Sequence, residues 1–595
     1  MTLSKQLALP LIKNATDRVL FANLVGGSLA LTISECAKQS KQPIILVVSD
    51  TPTAIKLKRE LYFFCEREID IIDFPDWETL PYDHFSPHQD IISTRIETLH
   101  QLASLKTGIL IVPITTLLLK IAPPSFLHQH TLILKIKQII ELQALRSGLE
   151  EAGYYAVEQV QEHGEFCARG SLLDIFPMGS KVPYRIDFFD DEIDSIRPFD
   201  STTQRSLPAI NEIKILPAHE FATDKTAMSN FKRQFANKFT SPLSTSKDSI
   251  FSEISQFNLP AGIEYYLPLF FDKTATLFDY LPKKSSLAIV GDINQATIDF
   301  WKSLEARYDD RCVDLLRPLL PPNELYLRHE ECFSSLAQWP RYYLQSRPLR
   351  TPKKGRINFN IESLHDIQIE HKKKLPLENI KNFISNFPGN ILFSVDSPGR
   401  RESLIELLTP LNLSLHVFNN ISAAFKSEKK IGITISRIEH SFILHDLNFA
   451  FITETELLGT KISQRKNSFE NYDENFSCDN ILRNLEELKI GQPVVHIDHG
   501  IGKYLGLQTI ETAGIKTEFM ELEYLRGDKL FVPVSALNLI SRYSGVDVDT
   551  APISKLGTET WQKAKKRAAE KVRDVAAELL TFMHNGQPQS VISTL

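Results

Sequence analysis

Residues 491–543 read GQPVVHIDHGIGKYLGLQTIETAGIKTEFMELEYLRGDKLFVPVSALNLISRY. Runs rich in valine, isoleucine, leucine and tyrosine (Pro493–Ile497, Lys503–Ile510, Glu518–Tyr524 and Lys529–Pro533) alternate with His-Gly, Ala-Gly and Arg-Gly-Asp turns. Short β-rich runs between such turn residues favour antiparallel strands over helices. A small five-stranded barrel is the expected fold for this module. Gly500, Gly502 and Gly506 invite comparison with a dinucleotide fingerprint, but their spacing is G-x-G-x-x-x-G and no amphipathic helix follows, so they read as bends and turns.

The runs GQPVVHIDHGIGKYLG, LFVPVSALNLISRY and KLGTETWQKAKKRAAEKVRDVAAELL resemble the RNA-polymerase-interacting module of bacterial transcription-repair coupling factors, which is shared with CarD-type transcription regulators. The resemblance extends upstream through DWETLPYDHFSPHQDIISTR and RGSLLDIFPMGSKVPYRIDFFDDEIDSIRPFD, covers nearly the whole chain, and weakens after about Met583.

Composition sets outer bounds. A chain of 595 residues exceeds one core, and length alone suggests about three to five domains. Hydrophobic content of 43% with 24% charged residues fits a globular protein. The net charge of -6 argues against a uniformly basic nucleic-acid binder and leaves room only for local contacts. Six scattered cysteines without a C-x-x-C pair suggest neither a disulfide framework nor a zinc site. With no secretory signal and no long apolar span expected, the reading is a cytoplasmic protein that does not engage a membrane.

The first 125 residues alternate apolar runs such as IILVVS and ILIVP with helical patterns, as in a parallel sheet covered by helices. The loop Val25-Gly26-Gly27-Ser28-Leu29-Ala30 lies where a phosphate loop would, but it lacks the phosphate-binding lysine. His84 and His88, near Asp83 and Asp90, are read as loop residues rather than as metal ligands. No catalytic, cofactor-binding or metal residue is assigned. By resemblance, residues 1–125 and 214–345 form a degenerate P-loop-type α/β domain like that of the excision-repair subunit UvrB, without its DNA-gripping hairpin.

Residues 126–213 form a β-rich insertion with expected strands at Leu172–Pro177, Tyr184–Phe189 and Glu192–Phe199. Alternation places Tyr184, Ile186 and Phe188 inward, and Arg185, Asp187 and Phe189 outward. An outward phenylalanine beside an arginine suits an interface anchor, or a strand end tucked under a loop. Basic residues 346–376 read as a solvated linker, 377–458 as a separate small α/β domain, and 459–480 as a second linker. The β module then occupies 481–550. Within 551–595, Trp561, Ala564, Ala568, Val572, Val575 and Leu579 recur at helical spacing in Thr558–Leu580, an amphipathic helix with a basic opposite side.

The resemblance implies an adaptor in transcription-coupled nucleotide excision repair. It assigns UvrA binding to Arg169, Arg185 and Phe189, and binding of the RNA polymerase β subunit to Leu507, Gln508, Thr509 and Ile510 through strand addition. Complete family members are ATP- and magnesium-dependent DNA translocases of helicase superfamily 2. No Walker motif occurs in this sequence, so no ATPase activity and only weak DNA contact are expected of it. The alternatives are a UvrB-like ATP-dependent repair subunit and a stand-alone CarD-like regulator.

Overall fold

The computed structural model describes residues 9–66, 68–351, 354–364, 367–369, 376–458, 491–496, 499–512, 515–533, 540–542 and 553–556. They fall into two compact units, divided between Gly459 and Thr460. The second expected linker and the amphipathic helix at Thr558–Leu580 lie outside the described residues.

In the first unit the apolar runs assemble into a seven-stranded parallel sheet. Its order is Arg356–Asn358, Arg18–Ala22, Arg341–Leu344, Ser286–Val290, Ile44–Val48, Ile109–Pro113, Ile71–Asp73. Ile44–Val48 and Ile109–Pro113 are buried at every position, as strands covered on both faces must be. The chain leaves this sheet after Pro113 and returns at Ser286, so the α/β domain is assembled from two separated stretches. The span 346–376, expected to be linker only, supplies the edge strand Arg356–Asn358 here and Ile361–Glu362 to another sheet. Three- and two-residue strands carry too little apolar periodicity to stand out from a basic tether.

The insertion is a five-stranded sheet ordered Glu192–Pro198, Tyr184–Phe189, Leu172–Ile175, Glu165–Arg169, Tyr155–Ala156, antiparallel except for the last pair. Its inward residues Phe166, Leu173, Ile186 and Ile193 share one hydrophobic cluster with Ile45, Val47, Leu110 and Val112 of the parallel sheet, so the insertion is packed on the domain that it interrupts. A buried ion pair joins the two stretches of the α/β domain on either side of the insertion. Arg95 is 0% exposed and donates from Nε to Glu220 Oε1 at 2.7 Å, while Trp77 Nε1 donates to Glu220 Oε2 at 2.7 Å.

Residues 361–453 form a mixed six-stranded sheet ordered Ile361–Glu362, Phe442–Leu444, Phe449–Thr453, Asn390–Val395, Ile431–Ile435, His416–Val417. The sequence reads this α/β element as a separate domain, but one of its faces completes the core of the first. Leu392, Phe418, Phe442 and Phe451 share a cluster with Phe21, Leu46 and Phe64, and the Phe63 and Phe64 rings lie 6.0 and 6.4 Å from that of Phe451. An apolar strand buried on both faces does not reveal in sequence whether the second cover is its own helix or a neighbouring domain.

The second unit is a five-stranded antiparallel sheet ordered Lys529–Pro533, Ile515–Glu523, Gly500–Thr512, Pro493–His496, Ile540–Arg542.

Candidate protein-docking sites

The sheet of the insertion has two unlike faces. Directly opposed residues of neighbouring strands project to the same side. The pairings Arg169↔Leu172, Leu172↔Asp187, Asp174↔Arg185 and Phe189↔Glu192 therefore place Arg169, Arg185 and Phe189 together on the face turned away from the core. The expected alternation holds: Ile186 and Phe188 are buried and Phe189 is 77% exposed. Phe189 is thus an open aromatic rather than a strand end tucked under a loop.

The two arginines differ in freedom. Arg185 makes a two-pronged pair with Asp174, from Nε to Oδ1 and from Nη2 to Oδ2, both at 2.8 Å, and its guanidinium lies 4.9 Å from the centre of the Phe199 ring. This geometry fixes the planar cation against the sheet and raises the Arg185 pKa, chiefly through the hydrogen bonds to Asp174. Arg169 is exposed on the same face and donates from Nη2 to the Glu158 carbonyl. Asp174 escaped the sequence reading, although the alternation in Leu172–Ile175 carries the signal for it: Leu173 and Ile175 are buried, which turns Asp174 outward.

In the β module, Gly500–Thr512 has a different neighbour along each half. Gly500–Lys503 pairs with Pro493–His496, whereas Leu507–Thr512 pairs with Ile515–Met520 on one side and, among the described residues, with no strand on the other. The expected edge is therefore half a strand, set off by a register shift between Tyr504 and Gly506. Leu507 is exposed, and Gln508 Nε2 is tied across the sheet to Glu521 Oε2 at 2.8 Å. The backbones of Thr509 and Ile510 pair with Glu518 and Thr517, and their side chains lie outside the described residues. Gly500 and Gly506 have φ of +82° and +134°, while a Cβ at Gly502 would sit 3.0 Å from the Tyr524 ring. The three glycines thus serve backbone geometry and close packing.

The glycine loop before the helix Ser28–Gln39 is filled from within the chain. Gly27 N–H donates to the His440 carbonyl at 3.3 Å, and a Cβ at Gly26 (φ +58°) would lie 2.7 Å from the Ser441 carbonyl oxygen and 2.8 Å from that of His440. A helix start that in a nucleotide-binding protein offers amides to phosphate here receives protein carbonyls. His88 caps the helix Gln89–Leu102, accepting at Nδ1 from Asp90 N, and His84 Nδ1 sits 3.3 Å from Arg317 Nη1. The two histidines therefore have separate local partners.

Three families are matched along the chain: the UvrB interaction domain at residues 132–221, the MFD D3 domain at 383–457, and the CarD-like/TRCF RID domain at 488–544. The chain is 44% identical to the transcription-repair-coupling factor of Escherichia coli (strain K12) over 567 residues, which is 95% of this chain and 48% of that protein. Over nearly its whole length the chain is similar to transcription-repair-coupling factors. The Haemophilus influenzae protein of that name is also 44% identical over 95% of the chain, and the Bacillus subtilis one is 25% identical over 94%. The chain spans about half the length of the curated relatives that it matches. The matched domains coincide with the five-stranded insertion, the six-stranded sheet and the antiparallel module. No helix among the described residues is long and apolar enough to cross a membrane.

Proposed function

We propose that the chain is a docking platform of transcription-coupled nucleotide excision repair, which binds UvrA through the insertion and the β subunit of RNA polymerase through the antiparallel module. The observation that carries the reading is the outward face holding Arg169, Arg185 and the 77% exposed Phe189 within the segment matched to a UvrB interaction domain. A rigid sheet, one open aromatic and paired arginines suit recognition of a protein surface bearing an apolar pocket and carboxylates.

The open half-edge at Leu507–Ile510 supports strand addition, in which main-chain pairing supplies affinity and alternate side chains supply selectivity. The five strands of this module close into a small barrel, and the protein works in the cytoplasm. The chain itself neither hydrolyses ATP nor binds magnesium, a reading supported by protein carbonyls where a phosphate loop would hold its ligand. DNA contact is weak. The same observation disfavours a UvrB-like ATPase, and the matches at residues 132–221 and 383–457 disfavour a stand-alone CarD-like regulator.

Pull-downs of the purified chain with UvrA and with core RNA polymerase test the proposal. Phe189→Ala should weaken only the UvrA complex, and Ile510→Arg only the polymerase complex. Wild-type capture by both folded variants would refute it.

A further inference from the structure

Ile139, at 79%, and Phe189, at 77%, are the two most exposed large hydrophobic side chains among the described residues. They are 50 residues apart in sequence and neighbours in the sheet, because Glu192 pairs with Phe189 on one side and bridges to Ile139 on the other. Opposed residues of antiparallel neighbours project to the same side, so all three side chains emerge from the outward face, with Ile139 and Phe189 two strand spacings, roughly 10 Å, apart.

The backbone around Ile139 is fixed: Ile140 N donates to the Asp191 carbonyl at 2.7 Å, Lys137 N to the Ile193 carbonyl at 2.8 Å, and Ile193 N to the Gln138 carbonyl at 2.9 Å. The Glu192 carboxylate is drawn to Lys137, with Oε1 2.9 Å from Nζ. Two apolar knobs on an ordered backbone thus flank a satisfied ion pair. Among the described residues, neither knob is packed into a core.

We infer that Ile139 is a second apolar anchor for UvrA, which grips the insertion with a surface carrying two shallow apolar depressions about 10 Å apart, separated by a polar strip that faces Glu192. This rests on the reading that UvrA docks on the outward face, and it extends that face by a whole strand beyond the arginines and Phe189. The side chain has little fold burden, since it is almost fully solvated, so its substitution reports on docking rather than on folding.

Calorimetric titration of purified UvrA into the full chain tests it, with Ile139→Asp, Phe189→Ala and, as control, Ile298→Asp at another exposed apolar site on the helix Ile293–Arg311. Ile139→Asp should weaken the complex on the order of tenfold or more while Ile298→Asp leaves it unchanged. Wild-type affinity for Ile139→Asp beside a weakened Phe189→Ala would overturn the second anchor alone, and wild-type affinity for both would overturn UvrA docking on this face. If sedimentation shows that Ile139→Asp abolishes self-association of the free chain and leaves UvrA affinity intact, the knob belongs to an interface between copies and the inference fails.

Discussion

Arg185→Ala should act twice, on stability and on docking, whereas Phe189→Ala should act once. Arg185 and Asp174 are joined by two charge-assisted bonds of 2.8 Å, with side-chain exposures of 27% and 16%. Removing one partner of a buried pair costs about 3–5 kcal/mol, and discounting for the partial exposure leaves roughly 2 kcal/mol. Loss of the cation lying 4.9 Å from the Phe199 ring centre adds about 0.5 kcal/mol. Phe189 is 77% exposed, so its truncation changes folding by less than about 0.5 kcal/mol, yet an aromatic anchor is worth ~2 kcal/mol in a complex, or roughly a thirtyfold change in Kd. Thermal unfolding and UvrA calorimetry on the same samples separate the two effects. Asp174→Asn serves as the control, since it loosens the pair but keeps the guanidinium: it should lower stability while retaining most of the UvrA affinity. An Arg185→Ala variant that unfolds at the wild-type temperature would refute the stability argument. If Asp174→Asn loses as much UvrA affinity as Arg185→Ala, the arginine supports the sheet and does not touch the partner.

Glu220→Ala should destabilise the first unit by on the order of 3–5 kcal/mol, because it strands the fully buried Arg95 and removes the acceptor of Trp77; chemical denaturation measures this. Glu264, buried and accepting from Ser86 Oγ at 2.8 Å, has its carboxyl pushed up to about 7, chiefly by burial. The folded state therefore keeps a proton that the unfolded state releases, so the penalty is absent below about pH 4.5, grows as the pH rises to about 7, and is complete above it. Glu264→Gln should gain on the wild type by about 3 kcal/mol between pH 4.5 and 8, and a difference independent of pH in denaturation curves would contradict this. Gly26→Val places a side chain against the carbonyls of His440 and Ser441 at a left-handed φ, and limited proteolysis should then cut within residues 376–458 faster than in wild type.

What the sequence determines here follows from local periodicity. The wholly apolar runs at Ile44–Val48 and Ile109–Pro113 announce parallel strands covered on both faces, and the alternation at Tyr184–Phe189 correctly separates buried Ile186 and Phe188 from open Phe189. A period of two reports which side of a strand faces the core, because the pleat alone enforces it. Periodicity does not report partners. Asp174 meets Arg185, and Ile139 meets Glu192, only through strand register, and register is a property of two segments at once. For the same reason, Trp77, Arg95 and Glu220 stand in separate stretches of the sequence with no visible relation until the two stretches of the α/β domain meet across the insertion. Gly26 and Gly27 read as a failed phosphate loop, and only the tertiary structure shows their backbone against the carbonyls of His440 and Ser441, a contact between residues more than 400 positions apart that chain spacing cannot encode.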